Sequence, residues 1–115
     1  MPVGDSRALQ GITVTHPEAK LATMKVLVGP DFGWEDHVMR LFELAPGGHT
    51  PRHTHDWPHI NYIVSGQGTL FLHGKENALT AGSYAYVPAG ELHQFQNTGD
   101  EPFQLMCIVP KEGHF

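Results

Sequence analysis

Cysteine is nearly missing from this chain: Cys107 stands alone, so no internal disulfide can form and nothing calls for an oxidising compartment. Basic residues are scarce too, seven Lys and Arg against twelve Asp and Glu, and they are scattered along the chain. That balance argues against nucleic acid or a membrane as partner and for a small molecule. Long hydrophobic runs are absent. No stretch approaches the ~18 apolar residues of a spanning helix, and the opening "MPVGDSRALQ" lacks the apolar core of a signal peptide, so a cytoplasmic location is expected. Room for helices is lacking as well, because thirteen glycines and nine prolines punctuate the chain at short intervals. The 115 residues, 40% hydrophobic, suffice for one core and one domain, 1–115.

What lies between the punctuation marks is strand-like. The runs "MKVLV" (24–28), "HVMRLFEL" (37–44), "HINYIVS" (59–65), "TLFLH" (69–73), "SYAYVP" (83–88), "HQFQN" (93–97) and "FQLMCIV" (103–109) are rich in β-branched and aromatic residues, and several alternate in polarity. Turns are expected at "PGG" after Leu44, "SGQG" (65–68), "HGK" (73–75) and "NTGD" (97–100). Short strands at this spacing indicate an all-β antiparallel sandwich or barrel. Residues 1–23 are less patterned, and "ITVTH" (12–16) reads as a strand added to an edge or to a partner subunit.

The segment "RHTHDWPH" (52–59) concentrates three histidines. In an extended chain residues two apart point to one side, so His53 and His55 share a face. After the turn that Trp57-Pro58 favours, His59 opens the next strand, and His93 opens another after "PAGEL". If the sheet closes, His93 completes a set of four.

These spacings resemble the two motifs of the cupin superfamily. The first runs from Gly47 through His53, His55 and His59 to Gly66; the second runs from Gly82 through Pro88, Gly90 and His93 to Asn97. The resemblance implies a single-domain jelly-roll β-barrel of the cupin 2 type, with motif one at 47–66 and motif two at 82–97. It also implies one divalent metal per chain on His53, His55, His59 and His93. His59 stands where the family usually has an acidic ligand, and the all-imidazole set, with "MRLFEL" (39–44) and "VPKEG" (109–113), is similar to a manganese-binding subgroup. Ligand softness alone would sooner choose iron, nickel, copper or zinc. Four neutral imidazoles leave the ion's +2 charge uncompensated, which favours an anionic or enolate ligand.

Other residues carry two readings each. Cys107 is a buried apolar filler or a cavity thiol open to oxidation. Arg40, alternating with apolar neighbours, is an anion handle in the barrel mouth or a solvated strand residue. Trp57, Phe95, Phe103 and Tyr62 are pocket walls or plain core. Asn61, two residues from His59, is a candidate partner for that imidazole. Glu43 and Asp56 are the nearest acidic candidates in sequence, neither with a spacing argument. His16, His37, His49, His73 and His114 match no ligand position and are read as surface or turn residues.

The function expected is a metal-dependent oxidoreductase, dioxygenase-like, acting on a small organic molecule. The alternatives are a Lewis-acid isomerase, decarboxylase or hydrolase, and a non-catalytic module that binds a small ligand or senses metal. A homodimer is expected, because an antiparallel barrel this small has edges to cover.

Overall fold

The computed structural model describes residues 3–113. Its strands are β1 (Ile12–Thr13), β2 (Lys20–Val28), β3 (His37–His49), β4 (His59–Ser65), β5 (Gln67–Leu72), β6 (Lys75–Thr80), β7 (Tyr84–Val87), β8 (Gln94–Asn97) and β9 (Phe103–Pro110). Single 3-10 turns at Ser6–Ala8, Pro30–Phe32 and Lys111–Gly113 are the helical elements among the described residues.

The strands join into one sheet in the order β6-β5-β8-β3-β9-β4-β7, with β2 also on β3 and β1 on β2. Every pairing is antiparallel. β3 links the two sides of this jelly-roll barrel. Its first eight residues pair with β9, while His49 at its far end pairs with Gln96 of β8. The fold is all-β, as the short strands and turn residues predict.

Several boundaries differ from the sequence reading, each for a local reason. "PGG" does not end its strand. The β2–β3 register jumps from Ala22↔Leu44 to Lys20↔His49, so 45–48 bulge outward and the strand resumes. "SGQG" is a corner between strands that do not pair with each other. Only Gly66 separates β4 from β5, and a Cβ there would collide with the Pro102 carbonyl. The turn at "HGK" forms with positive φ at His73 (55°) and Gly74 (75°), the twist that suits a two-residue hairpin. That hairpin creates β6, "KENALT", which no hydrophobic pattern announces; its pairing with β5 supplies what its side chains do not. "NTGD" turns as expected, with the Gly99 N–H donating to Asn97 Oδ1 at 2.8 Å.

The N-terminal segment expected to cover an edge or a partner pairs within its own chain, Ile12 opposite Met24 and Thr13 opposite Thr23. One end of the barrel is packed solid by Leu44, Ile63, Leu70, Phe103 and Leu105. Phe103 belongs wholly to that core and Tyr62 faces outward, so neither walls a pocket as the sequence suggested.

Candidate metal centre

At the other end the β3–β8 ladder continues into the chain that follows β3. The Thr50 N–H donates to the Phe95 carbonyl at 3.0 Å, and His53 and His93 exchange backbone N–H···O bonds at 3.2 Å. The Gly90 N–H donates to the His55 carbonyl at 2.8 Å. This pairing brings the two distant histidine segments together. β4 starts at His59 beside them, as the spacing predicts.

The four imidazoles converge. Ring centroids of His53 and His55 are 5.1 Å apart, His53 and His93 5.0 Å, His55 and His59 5.2 Å, His55 and His93 4.9 Å, and His59 and His93 5.0 Å. Ring nitrogens of His53, His55 and His93 all lie within 4.8 Å of one another, and the His59 and His93 Nε2 atoms are 3.2 Å apart.

Each Nδ1 is committed elsewhere. It faces the Pro51 carbonyl at 3.0 Å in His53, the Trp57 carbonyl at 2.9 Å in His55 and the Glu91 carbonyl at 2.9 Å in His93. In His59 it faces Asn61 Oδ1 at 2.6 Å. A neutral ring facing a carbonyl oxygen with Nδ1 must carry its proton there, which leaves Nε2 a bare lone pair. Burial keeps all four rings neutral by pushing their pKa values down, His59 to about 3.

Lone pairs that face one another repel unless something accepts them. A divalent ion fits that need. Two nitrogens about 2.1 Å from one ion would stand ~3.0 Å apart at a right angle and ~3.4 Å apart at a tetrahedral one, and 3.2 Å falls between. Five ring pairs are close and the sixth, His53 with His59, is not among the close contacts.

The imidazoles form the floor of a cavity of about 720 Å³. Phe42, Phe95, Trp57 and Leu105 give it an apolar wall, with Thr50, Thr54 and Arg40 as polar points. Trp57 stacks on His55 at 4.9 Å with only 10° between the planes. Arg40 lies inside rather than in solvent, and its Nη2 donates to Cys107 Sγ at 3.4 Å. Cys107 is therefore both buried filler and cavity wall, and burial raises its pKa. Arg40 Nε and Trp57 Nε1 are buried donors without a partner among the described residues.

Among the described residues no carboxylate lines this cavity. Glu43 is on the outer face, where Oε1 accepts from Gln104 Nε2 at 2.9 Å, and Asp56 is exposed. Neither sequence candidate for a base is placed to act as one.

The sequence reading missed Phe42, although alternation from Arg40 places it on the same face. It also missed the segment 12–16, which walls the cavity and carries His16 to its rim, 6.2 Å from the His53 ring. His16 and His73 are exposed as expected. His49 is half-buried instead, in contact with Gln94 Nε2 at 3.3 Å, and His37 is half-buried against Trp34. His114 lies outside the described residues.

The chain is thus a small, nearly closed antiparallel β-barrel with imidazole donors gathered at one end of its cavity. The chain belongs to the Cupin domain family (Cupin_2), which matches residues 40–109. It is 32% identical over 88 residues to auxin-binding protein 1 of Arabidopsis thaliana, covering 69% of this chain and 44% of that protein. It is 28% identical over 89 residues to the tetracenomycin polyketide synthase protein TcmJ of Streptomyces glaucescens, covering 73% of this chain and 57% of that protein. The solved structure of the polyketide cyclase RemF from Streptomyces resistomycificus superposes with a TM-score of 0.89 at 28% identity, covering 96% of this chain and 79% of that one. The chain spans about half the length of the curated relatives it matches.

Proposed function

We propose that this protein is a divalent-metal enzyme acting on a small, ring-forming or aromatic molecule rich in carbonyl or enol oxygens. His53, His55, His59 and His93 hold the ion. The observation that carries this reading is the convergence of four imidazoles, each with Nδ1 turned to an acceptor, on the floor of an apolar cavity whose described lining has a cation and donors without a partner among the described residues, and no carboxylate. An ion there would supply Lewis acidity, stabilising negative charge as it develops on a substrate oxygen.

The chain's own residues do the rest. Arg40 receives the anionic end of the substrate, Trp57, Phe42 and Phe95 hold its rings and keep water out, and the Nδ1 bonds keep the imidazoles aimed. Without a carboxylate base, the site suits substrates whose C–H is already acidic, as between two carbonyls. The likeness to the polyketide cyclase RemF supports cyclisation of such a compound, and the likeness to the polyketide synthase protein TcmJ supports a polyketide as its class.

A second reading, an oxygen-dependent oxidoreductase of dioxygenase type, is supported by the cavity of about 720 Å³ over the imidazoles, which has room for a small organic molecule and dioxygen together. Manganese is the ion that resemblance suggests, and iron, nickel, copper or zinc the ions that imidazole donors suit. The lone buried thiol accords with a reducing, cytoplasmic setting.

The test begins with metal content of tag-free wild type, His59→Ala and His93→Ala by plasma mass spectrometry. Protein loaded with each metal is then given linear oligo-β-ketones bearing a terminal carboxylate, in air and under argon, and aromatic product is followed by absorbance. Equal rates under argon support the Lewis-acid reading. Rates that vanish without oxygen transfer the site to the oxidoreductase reading. Tight binding without turnover leaves a ligand-binding module, and metal indifferent to both substitutions overturns the centre.

A further inference from the structure

Five described histidines line the cavity, and their hydrogen bonds divide them into two kinds. The four on the floor turn Nδ1 toward an oxygen acceptor, carry the proton there and leave Nε2 bare. His16 does the opposite. Its Nδ1 faces a donor, the Glu18 backbone N–H, at 3.1 Å. A ring nitrogen that accepts a hydrogen bond holds a lone pair, so the proton of the neutral His16 ring sits on Nε2.

The chain around His16 fixes this arrangement. The β1–β2 pairing continues to Val14, whose N–H donates to the carbonyl of buried Ala22 at 3.0 Å. The turn that follows is closed by the Ala19 N–H, which donates to the His16 carbonyl at 2.9 Å. Although the side chain is exposed, its ring lies nearly parallel to that of His53, with 20° between the planes and 6.2 Å between centroids. Nε2 lies across the ring from Nδ1, so it points away from the loop that holds the ring. With Nδ1 engaged and Nε2 protonated, His16 has no free lone pair and is not a fifth metal ligand. It offers the cavity a donor only, whereas the hydroxyls of Thr50 and Thr54 can donate or accept.

We propose that His16 determines specificity at the cavity mouth: its Nε2–H donates to a neutral oxygen acceptor, a ketone or aryl ether, on the outer end of a substrate whose anionic end is held by Arg40. This rests on the reading of the cavity as the site of an oxygen-rich aromatic or ring-forming acid, and it adds what the end at the mouth must carry. An apolar group there strips water from the His16 N–H without replacing its hydrogen bond, and an amine or ammonium group sets donor against donor. A ketone oxygen restores the bond.

The experiment is calorimetric titration of the zinc-loaded full chain with two probes of nearly the same shape, para-acetylcinnamate, whose ketone accepts, and para-isopropylcinnamate, which has no acceptor at that end. His16→Phe keeps a ring beside His53 and removes the donor. It is expected to lower the preference for the acetyl probe about five-fold relative to wild type, while His16→Gln, which keeps an N–H donor, retains most of that preference. Long-range proton–nitrogen correlation spectra of the same zinc-loaded protein are expected to show the His16 proton on Nε2. Binding of both probes with a preference that His16→Phe leaves unchanged would overturn this inference alone, as would a bare His16 Nε2 or a loss in His16→Gln equal to that in His16→Phe. Binding of neither probe by wild type would overturn it together with the reading of the cavity on which it rests.

Discussion

β4 runs from one end of the barrel to the other. At its start His59 sits among imidazoles, and four residues later Ile63 sits among Leu70, Leu105 and Phe103. Both are buried. The packed end is filled by apolar side chains whose burial is favourable, and its buried Asn97 is satisfied, with Nδ2 donating to the Leu44 carbonyl at 2.9 Å. The imidazole end is different, because its lone pairs are aimed at one another and Arg40 Nε and Trp57 Nε1 lack partners among the described residues. The difference teaches that the two ends are built on different terms: one is completed by apolar packing, and the other keeps buried imidazoles that the fold itself leaves without proton donors.

Breaking the packed end should have the largest effect. Phe103 is fully buried, and Phe103→Ala is expected to cost about 3–5 kcal/mol in chemical denaturation while folded protein keeps its full metal content. Breaking the imidazole end should do the reverse. His93→Ala is expected to weaken metal binding at least ~100-fold in a chelator-competition titration, yet to change metal-free stability by less than about 1 kcal/mol, since it removes a lone pair that faces another. A large loss of metal-free stability in His93→Ala would erase the contrast between the two ends. Between these lies Asn61→Leu, which takes the acceptor from His59 Nδ1 and is expected to weaken metal binding 10- to 100-fold with all four imidazoles intact.

The same contrast explains what could be read from the sequence. Strands whose outward and inward faces differ, such as 59–65 and 103–110, announce themselves by alternation, and both are found within a residue of where that alternation places them. β6 carries no such signal, because its strand character comes from β5 through the His73–Gly74 turn. The four histidines were legible from spacing, as two segments whose meeting needed only that the sheet close. Arg40's inward position, the missing carboxylate and the wall made by 12–16 were not, because each depends on how the sheet curves.

The smallest effect, and the sharpest on the nature of the imidazole end, is the pH dependence of metal-free stability. The His59 pKa is lowered from 6.5 to about 3, chiefly by burial, and those of His53, His55 and His93 are lowered for the same first reason. Below pH 6.5 the unfolded chain therefore binds protons that the folded chain refuses, so stability must fall as pH falls. His59 alone would contribute up to about 1.4 kcal/mol per pH unit between its ordinary pKa of 6.5 and its folded pKa of about 3. Urea denaturation of metal-free protein at pH 7.5, 6.5 and 5.5 should follow that slope, and His59→Gln should flatten it. Saturating metal should deepen the slope, because an ion on the folded imidazoles keeps them unprotonated to lower pH while the unfolded chain still takes up protons. A flat profile in metal-free wild type would mean that the imidazoles already share protons in the folded state. The two ends of the barrel would then differ less in kind than their burial implies.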